Sequence, residues 1–421
     1  MTWRPHGETR SGVSGDSRHP RLSRCGDAAR IGQRRHPRHE YWLASYGFSQ
    51  AWRTSTGAGV TVAVIDTGID SSHPDLVGTV VGGTDISGLG AANGGRPVGP
   101  NKEHGTMVAS LIAGQGHDGD AGIIGVAPSA RLLSVSVGFG VGTAGSDDQI
   151  ANAVRWSVDH GADIINMSLT RNTLEWPESW DDAFLYAMQH DVVIVAAAGN
   201  RGSGTTEVGA PATMPGVLTV AGVDQNGKAS FDASSQGITI SVAAPSENLV
   251  GAAPGGGYYN WAGTSGATPI VAGLVALVRS AYPDLDAANV INRVIATADP
   301  VGGPVPSPIY GYGLIDAAAA VTARVSPVTA NPMGDLKEWI RVYRRAASTP
   351  PPPSQQAEAP PLTTPTPVPS AKAANPLGTI LPTVASLRDT GIPLLVFAVF
   401  GTLLALLVRV FYRRIGHPRG K

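Results

Sequence analysis

Three short segments carry side chains that together could perform nucleophilic chemistry. The first is Val62-Ala63-Val64-Ile65-Asp66-Thr67-Gly68-Ile69-Asp70. Its four apolar residues make a buried strand and place Asp66 at the carboxyl end, where functional groups of open parallel sheets gather. The second is His104-Gly105-Thr106-Met107-Val108-Ala109-Ser110, in which a histidine heads a helix of small residues. An imidazole in that place presents one nitrogen to a nucleophile and the other to a carboxylate. The third is Gly263-Thr264-Ser265-Gly266-Ala267-Thr268-Pro269, where Ser265 opens a long apolar helix, residues 265–281, that reads as buried. The backbone N–H groups at such a helix start, and the positive end of its dipole, favour an oxyanion beside the hydroxyl. Taken singly, each has an ordinary structural reading: Asp66 as a turn or cap residue, His104 as a polar cap, Ser265 as an N-cap.

The elements that must position these groups lie between about residues 40 and 324. Short apolar runs at 60–65, 132–137, 163–167 and 192–197 are each followed by Gly, Ser, Asp or Asn. Helical spacing fills 149–160 and 179–190 between them. Strands alternating with helices of this length predict parallel βαβ units, hence an α/β fold with a doubly wound, mostly parallel sheet and helices on both faces. Abundant Gly (53) and Pro (33) in 421 residues fit a turn-rich domain plus a Pro-rich linker. A net charge of -1 gives no ground for a nucleic-acid partner. The single cysteine, Cys25, excludes an intrachain disulfide.

The flanks read differently. Residues 1–39 hold four of the ten histidines (His6, His19, His36, His39) and lack apolar periodicity, so they are expected to be disordered or to reflect a misassigned start. Residues 325–391 contain a possible short helix at 336–345 and then a Pro-dense, nearly uncharged run at 349–369, which reads as a solvated spacer. Residues 392–408 are apolar or small without a charge, and extension to 412 gives a comfortable single span. The tail from 413 to 421 is basic. Arg409, Arg413, Arg414, Arg419 and Lys421 flank one side of the span and chiefly Arg388 the other. The tail is therefore expected in the cytoplasm and the large domain outside the membrane. Export of that domain conflicts with the lack of an apolar leader in residues 1–41, and a misassigned start resolves the conflict.

The segments VIDTGID, HGTMVAS and GTSGATPIVAG resemble, in that order, the three signature blocks of the subtilase family. Val195-Ala196-Ala197-Ala198-Gly199-Asn200 resembles a fourth block, which ends in an oxyanion-binding asparagine. The resemblance spans about residues 41–323. It implies a serine endopeptidase with Asp66 as orienter, His104 as general base and acid, Ser265 as nucleophile and Asn200 as oxyanion donor. It also implies an extended polypeptide substrate, with residues 165–169, including Ser168 and Leu169, as one wall of the pocket for the residue before the cleaved bond. Residues 196–199, including Ala197 and Gly199, form the opposite wall, and the Gly-rich run 138–146 gives a backbone edge for the substrate.

Three positions depart from the family pattern. Thr170 replaces a usual Gly and narrows or bends one wall. Gly266 follows the nucleophile where a larger residue is common, which opens the leaving-group side. Glu103 precedes His104 in place of Gly and, if close, raises the imidazole pKa. No cofactor is required for the chemistry. A structural calcium ion is compatible with carboxylates such as Asp70, Asp75, Asp147 and Asp148, but no ligand set is readable. A subtilase core, Pro-rich linker, one C-terminal span and short basic tail together resemble mycosins, the membrane-anchored proteases associated with type VII secretion. The resemblance departs in one respect, since no cysteine follows Cys25. The expectation is a membrane-anchored endopeptidase. The second reading is a structural partner of a membrane secretion complex with catalysis secondary, and the third an intracellular tethered protease.

Overall fold

The structure is a computed structural model that describes residues 29–31, 40–117, 121–142, 145–344 and Thr402. All but Thr402 lie in one compact unit, residues 1–350, and Thr402 lies in a second, residues 351–421. The expected spacer beyond residue 344, the apolar span and the basic tail therefore fall outside the described residues, Thr402 apart, as does most of the segment 1–39.

In chain order the elements are β1 (Ala29–Ile31), α1 (Tyr41–Ser45), α2 (Phe48–Ala51), β2 (Thr61–Asp66), β3 (Val80–Asp85) and α3 (His104–Ala113). There follow β4 (Gln115–His117), β5 (Ala121–Ile124), β6 (Arg131–Ser136), α4 (Ser146–Asp159), β7 (Ile164–Met167), α5 (Glu178–Gln189) and β8 (Val193–Ala197). The rest are β9 (Leu218–Val223), β10 (Ile240–Pro245), β11 (Leu249–Ala252), β12 (Tyr258–Trp261), α6 (Thr264–Ala281), α7 (Ala287–Ala296), α8 (Ala317–Thr322) and α9 (Leu336–Trp339).

Seven strands form the main sheet in the order β10-β9-β8-β7-β2-β6-β3, and every neighbouring pair is parallel. Strands β2, β7, β8, β9 and β10 are buried along their whole length, as a sheet covered on both faces requires. Helices α3 and α6 pack together over the sheet, and α4 and α5 form the other paired layer. The chain enters near the middle with β2, passes to the edge strand β3, returns to fill the place between them with β6, and then crosses to β7 through β10 on the other side. That reversal beside β2 opens a crevice at the carboxyl ends of the strands, where a ligand or reacting group is expected.

Helix α6 runs through the core. Its residues 266–278 are buried, and a side chain at Gly273 would meet Val126 Cγ2 at 2.0 Å, so glycine permits this close approach. It is the one helix among the described residues long and apolar enough to cross a membrane, and its burial marks it as a core helix. Pro269 lacks the N–H that would bond the Ser265 carbonyl, while the Thr268 hydroxyl donates to the Thr264 carbonyl at 2.7 Å.

Two features were not anticipated from the sequence. Ala29–Ile31 forms β1 and pairs antiparallel with β12, in a three-stranded sheet ordered β1-β12-β11. The packed unit also continues past Arg324. Leu336 is buried, the Trp339 ring packs tilted against Trp176 with centroids 4.4 Å apart, and Arg344 pairs with Asp181 at 2.9 Å while donating to the Trp176 carbonyl.

Candidate active site

Asp66 ends β2 and is almost fully buried. Its Oδ1 accepts the Thr67 N–H at 2.7 Å, and both its oxygens lie 2.9 Å from His104 Nδ1. The imidazole therefore carries its proton on Nδ1 and turns Nε2 outward as an acceptor. Backbone contact makes this pairing local and rigid. The Thr67 hydroxyl accepts the Gly105 N–H at 3.0 Å, and a side chain at Gly105 would meet the Gly68 carbonyl at 2.4 Å. Glycine after His104 is thus what allows α3 to start against the end of β2. The ring edge of buried Trp261 packs against His104, with centroids 5.6 Å apart and planes at 79°. Burial pushes the His104 pKa down, but the Asp66 carboxylate and its hydrogen bond outweigh this. With a further contribution from the Glu103 charge, they hold the imidazole above its ordinary range. The effect expected of Glu103 is thus present.

Ser265 lies in the first turn of α6. Gly263, the residue before that helix, has φ +141, a conformation open to glycine, and no side chain caps the helix there. The free amides divide unevenly as a result. Thr264 N–H donates to Asn200 Oδ1 at 2.8 Å, and Gly266 N–H donates to the Gly263 carbonyl at 2.9 Å. Among the described residues, nothing accepts from the Ser265 N–H. Asn200 follows β8. Its Oδ1 also accepts the Thr264 hydroxyl at 2.9 Å, which in turn accepts the Gly199 N–H at 3.1 Å. Because the Thr264 N–H can only donate, the Asn200 oxygen must face it, and Nδ2 then faces away with no acceptor among the described residues. Two N–H donors, one from the Ser265 backbone and one from the Asn200 amide, are thus left without an acceptor among the described residues, and Thr264 holds Asn200 to the start of α6. The sequence reading missed Thr264 as the residue that orients Asn200, although it sits inside the quoted block.

The Ser265 hydroxyl donates to the Ser168 carbonyl at 3.2 Å. No hydrogen bond joins it to His104, a gap common in sites without substrate. Ser168 directly follows β7, its hydroxyl accepting the buried Asn166 amide at 3.0 Å. Leu169 packs half-buried on the core, Gly199 joins the Thr264 network, and Ala197 ends β8 within the core. The Gly-rich run forms no strand among its described residues: Gly138 N–H donates to Gln149 Oε1 and Gly140 N–H to the Ser146 hydroxyl. At Gly266, an added side chain would meet Leu249 Cδ1 at 2.2 Å, with Trp261 also nearby. The space expected to open there is therefore filled by Leu249 and Trp261.

Three of the four carboxylates considered for calcium have other partners. Asp70 accepts the Ser72 and Gly255 N–H groups, Asp75 binds His117 Nδ1 at 2.6 Å and the Ile123 N–H, and Asp147 pairs with Arg171. Among the described residues, no group of three or more His, Cys, Asp or Glu is arranged to hold a metal ion.

Comparison with known proteins places this geometry in a family. The sequence signature described as "Subtilase family" matches residues 57–313, a range that contains Asp66, His104, Asn200 and Ser265. Subtilisin E of Bacillus subtilis (strain 168) is 39% identical over 295 residues, covering 68% of this chain and 73% of that protein. The structure of MycP1 from the ESX-1 type VII secretion system matches with a TM-score of 0.59 at 34% identity, over 70% of this chain and 88% of that one. MycP1 from Mycobacterium smegmatis gives 0.58 at 31%, over 70% and 86%. With the family signature spanning most of the folded unit and a subtilisin at 39% identity, the chain belongs to the subtilase family of serine endopeptidases and is similar in structure to its MycP members.

Proposed function

We propose that Asp66, His104 and Ser265 form the catalytic triad of this endopeptidase, with Asn200 Nδ2 and the Ser265 N–H as its oxyanion hole. The observation that carries this reading is the pair of unengaged donors on Ser265 and Asn200, together with a histidine whose tautomer is fixed by a buried carboxylate. Rotation of the Ser265 hydroxyl away from the Ser168 carbonyl brings its proton to His104 Nε2. Oγ then bonds to the substrate carbonyl carbon, the proton passes to Nε2, and the carbonyl electrons move onto an oxygen held by the two donors. Collapse expels the amine, which takes the Nε2 proton, and leaves an acyl-enzyme on Ser265. Water, deprotonated by His104, releases the acid by the same steps.

In this reading the apolar segment 392–412 anchors the chain as a single span. The domain faces the extracytoplasmic side and the basic tail the cytoplasm, on the charge asymmetry of the flanks. The likeness to MycP1 of a type VII secretion system supports association with a membrane secretion complex as its setting. No cofactor is needed.

Labelling the full chain with a fluorophosphonate probe and mapping the modified peptide tests the assignment. Modification of Ser265 is the expected result, and a folded protein that takes up no probe would sink it. Replacing Asn200 by Ala removes one donor without touching the nucleophile. The expected loss is roughly 10²–10³-fold in kcat with little change in KM. A change of less than about threefold would remove Asn200 from the oxyanion hole.

A further inference from the structure

Past the carboxyl ends of β7 and β8 the chain forms two walls that flank Ser265. One begins at Ser168, whose carbonyl accepts the Ser265 hydroxyl. The other includes Gly199, whose N–H donates to Thr264. On the proposed function, and as the family resemblance implies, the slot between these walls takes the side chain of the residue that supplies the attacked carbonyl.

The slot is closed at its base. Arg171 N–H donates across it to the Ala210 carbonyl at 2.8 Å, and Ala210 N–H returns a bond to the Thr173 carbonyl at 2.9 Å. The Thr205 hydroxyl donates to Asn172 Oδ1, a third tie between the same two segments. Gly209 sits where the ties meet. A methyl group there would meet the Arg171 carbonyl at 1.7 Å and Thr170 Oγ1 at 2.6 Å, so the Thr170 side chain and Arg171 backbone already fill that space. At the opposite wall, a side chain at Gly199 would meet the Thr205 methyl at 2.6 Å. Thr170 is not free to swing aside. Its hydroxyl donates to the Arg171 carbonyl at 3.1 Å, and the Arg171 guanidinium pairs with Asp147 and lies 5.6 Å over the Trp180 ring.

We propose that Thr170 is a specificity-determining residue that restricts the acyl-side position of the substrate to small side chains such as Ala, Ser or Gly. This rests on Ser265 being the nucleophile. A packed interior yields little to an added ring or branched chain, and the ties hold the Thr170 side chain in the space such a group would need.

The test uses the full chain and one peptide sequence varied only at that position through Gly, Ala, Val, Leu and Phe, with kcat/KM read for each. Alanine is expected to exceed phenylalanine by roughly 100-fold or more. Thr170→Gly is expected to narrow that ratio at least about tenfold. Thr170→Ser, which keeps the hydroxyl bond and removes only the methyl, should raise Val relative to Ala and covers the case in which the glycine variant does not fold. Equal or better cleavage after Phe or Leu in the parent, or ratios unmoved in both variants, would overturn the proposal. If Ser265 takes up no fluorophosphonate, the function reading itself fails, which the labelling shows independently of any substrate preference.

Discussion

Asp66→Asn is expected to lower kcat by roughly 10⁴-fold while leaving the protein folded. The replacement is nearly the same shape, and Asp66 is buried at the end of a strand bonded on both sides. The asparagine oxygen would keep the Thr67 N–H that Asp66 Oδ1 now accepts. Its NH₂ would then face His104 Nδ1, so Nδ1 would have to accept and the proton would move to Nε2. A histidine with its proton there cannot take one from Ser265. The imidazolium would also lose the carboxylate that now holds its pKa up against burial. Steady-state rates beside a thermal melt and the fluorophosphonate labelling rate check this. Labelling should fall with kcat while the melting temperature holds. A loss below about tenfold in a folded variant would mean that Asp66 does not set the tautomer.

The signature segments were legible because each meets a backbone demand that few residues satisfy. Gly105 stands against the Gly68 carbonyl, and Gly263 has φ +141 beside Asn200. Such constraints act between the signature segments themselves, so both partners of each contact stand inside a recognisable block. The central strands were legible for a related reason: a sheet buried on both faces leaves near-continuous apolar runs, and β2, β6, β7 and β8 fall within a residue or two of those runs.

What the sequence hid depends on distant pairings. β1 is held by backbone hydrogen bonds to β12, about 230 residues away, and Ala-Arg-Ile has no pattern that announces it. Thr170 stood out as a departure from Gly, but the role proposed for it needed the bonds that Arg171 N–H donates to the Ala210 carbonyl and Ala210 N–H to the Thr173 carbonyl. Gly266 misled because the room it leaves is taken by Leu249, 17 residues earlier. The packing of Trp339 and Arg344 on Trp176 belongs to the same class.

Glu40→Gln is expected to remove most of the loss of stability that the protein suffers between pH 5 and pH 8.5. Glu40 precedes α1 and is nearly inaccessible to solvent. Its Oε1 accepts the Ile124 N–H at 2.8 Å, whereas Oε2 is buried without a partner. Burial pushes its pKa up to about 8. The Ile124 N–H opposes that rise, and the charge of Asp75 adds to it. Asp75 is itself buried, engaged by His117 and the Ile123 N–H. The sign follows from proton counts. Between the ordinary value near 4.5 and the folded value near 8, the folded chain holds a proton that the unfolded chain has released. Raising the pH through that window therefore favours unfolding, and above it the full cost remains. A shift from 4.5 to about 8 corresponds to about 5 kcal/mol. Glutamine resembles the protonated acid, keeps an oxygen for Ile124 and offers its NH₂ toward the Asp75 carboxylate. At pH 5 the two proteins should melt together, and at pH 8.5 the variant should melt several degrees higher. Comparison cancels the pH response of every group common to both proteins. Parallel melting curves across that range would mean that Glu40 carries its charge in the fold at neutral pH, with water or a cation supplying what Oε2 lacks.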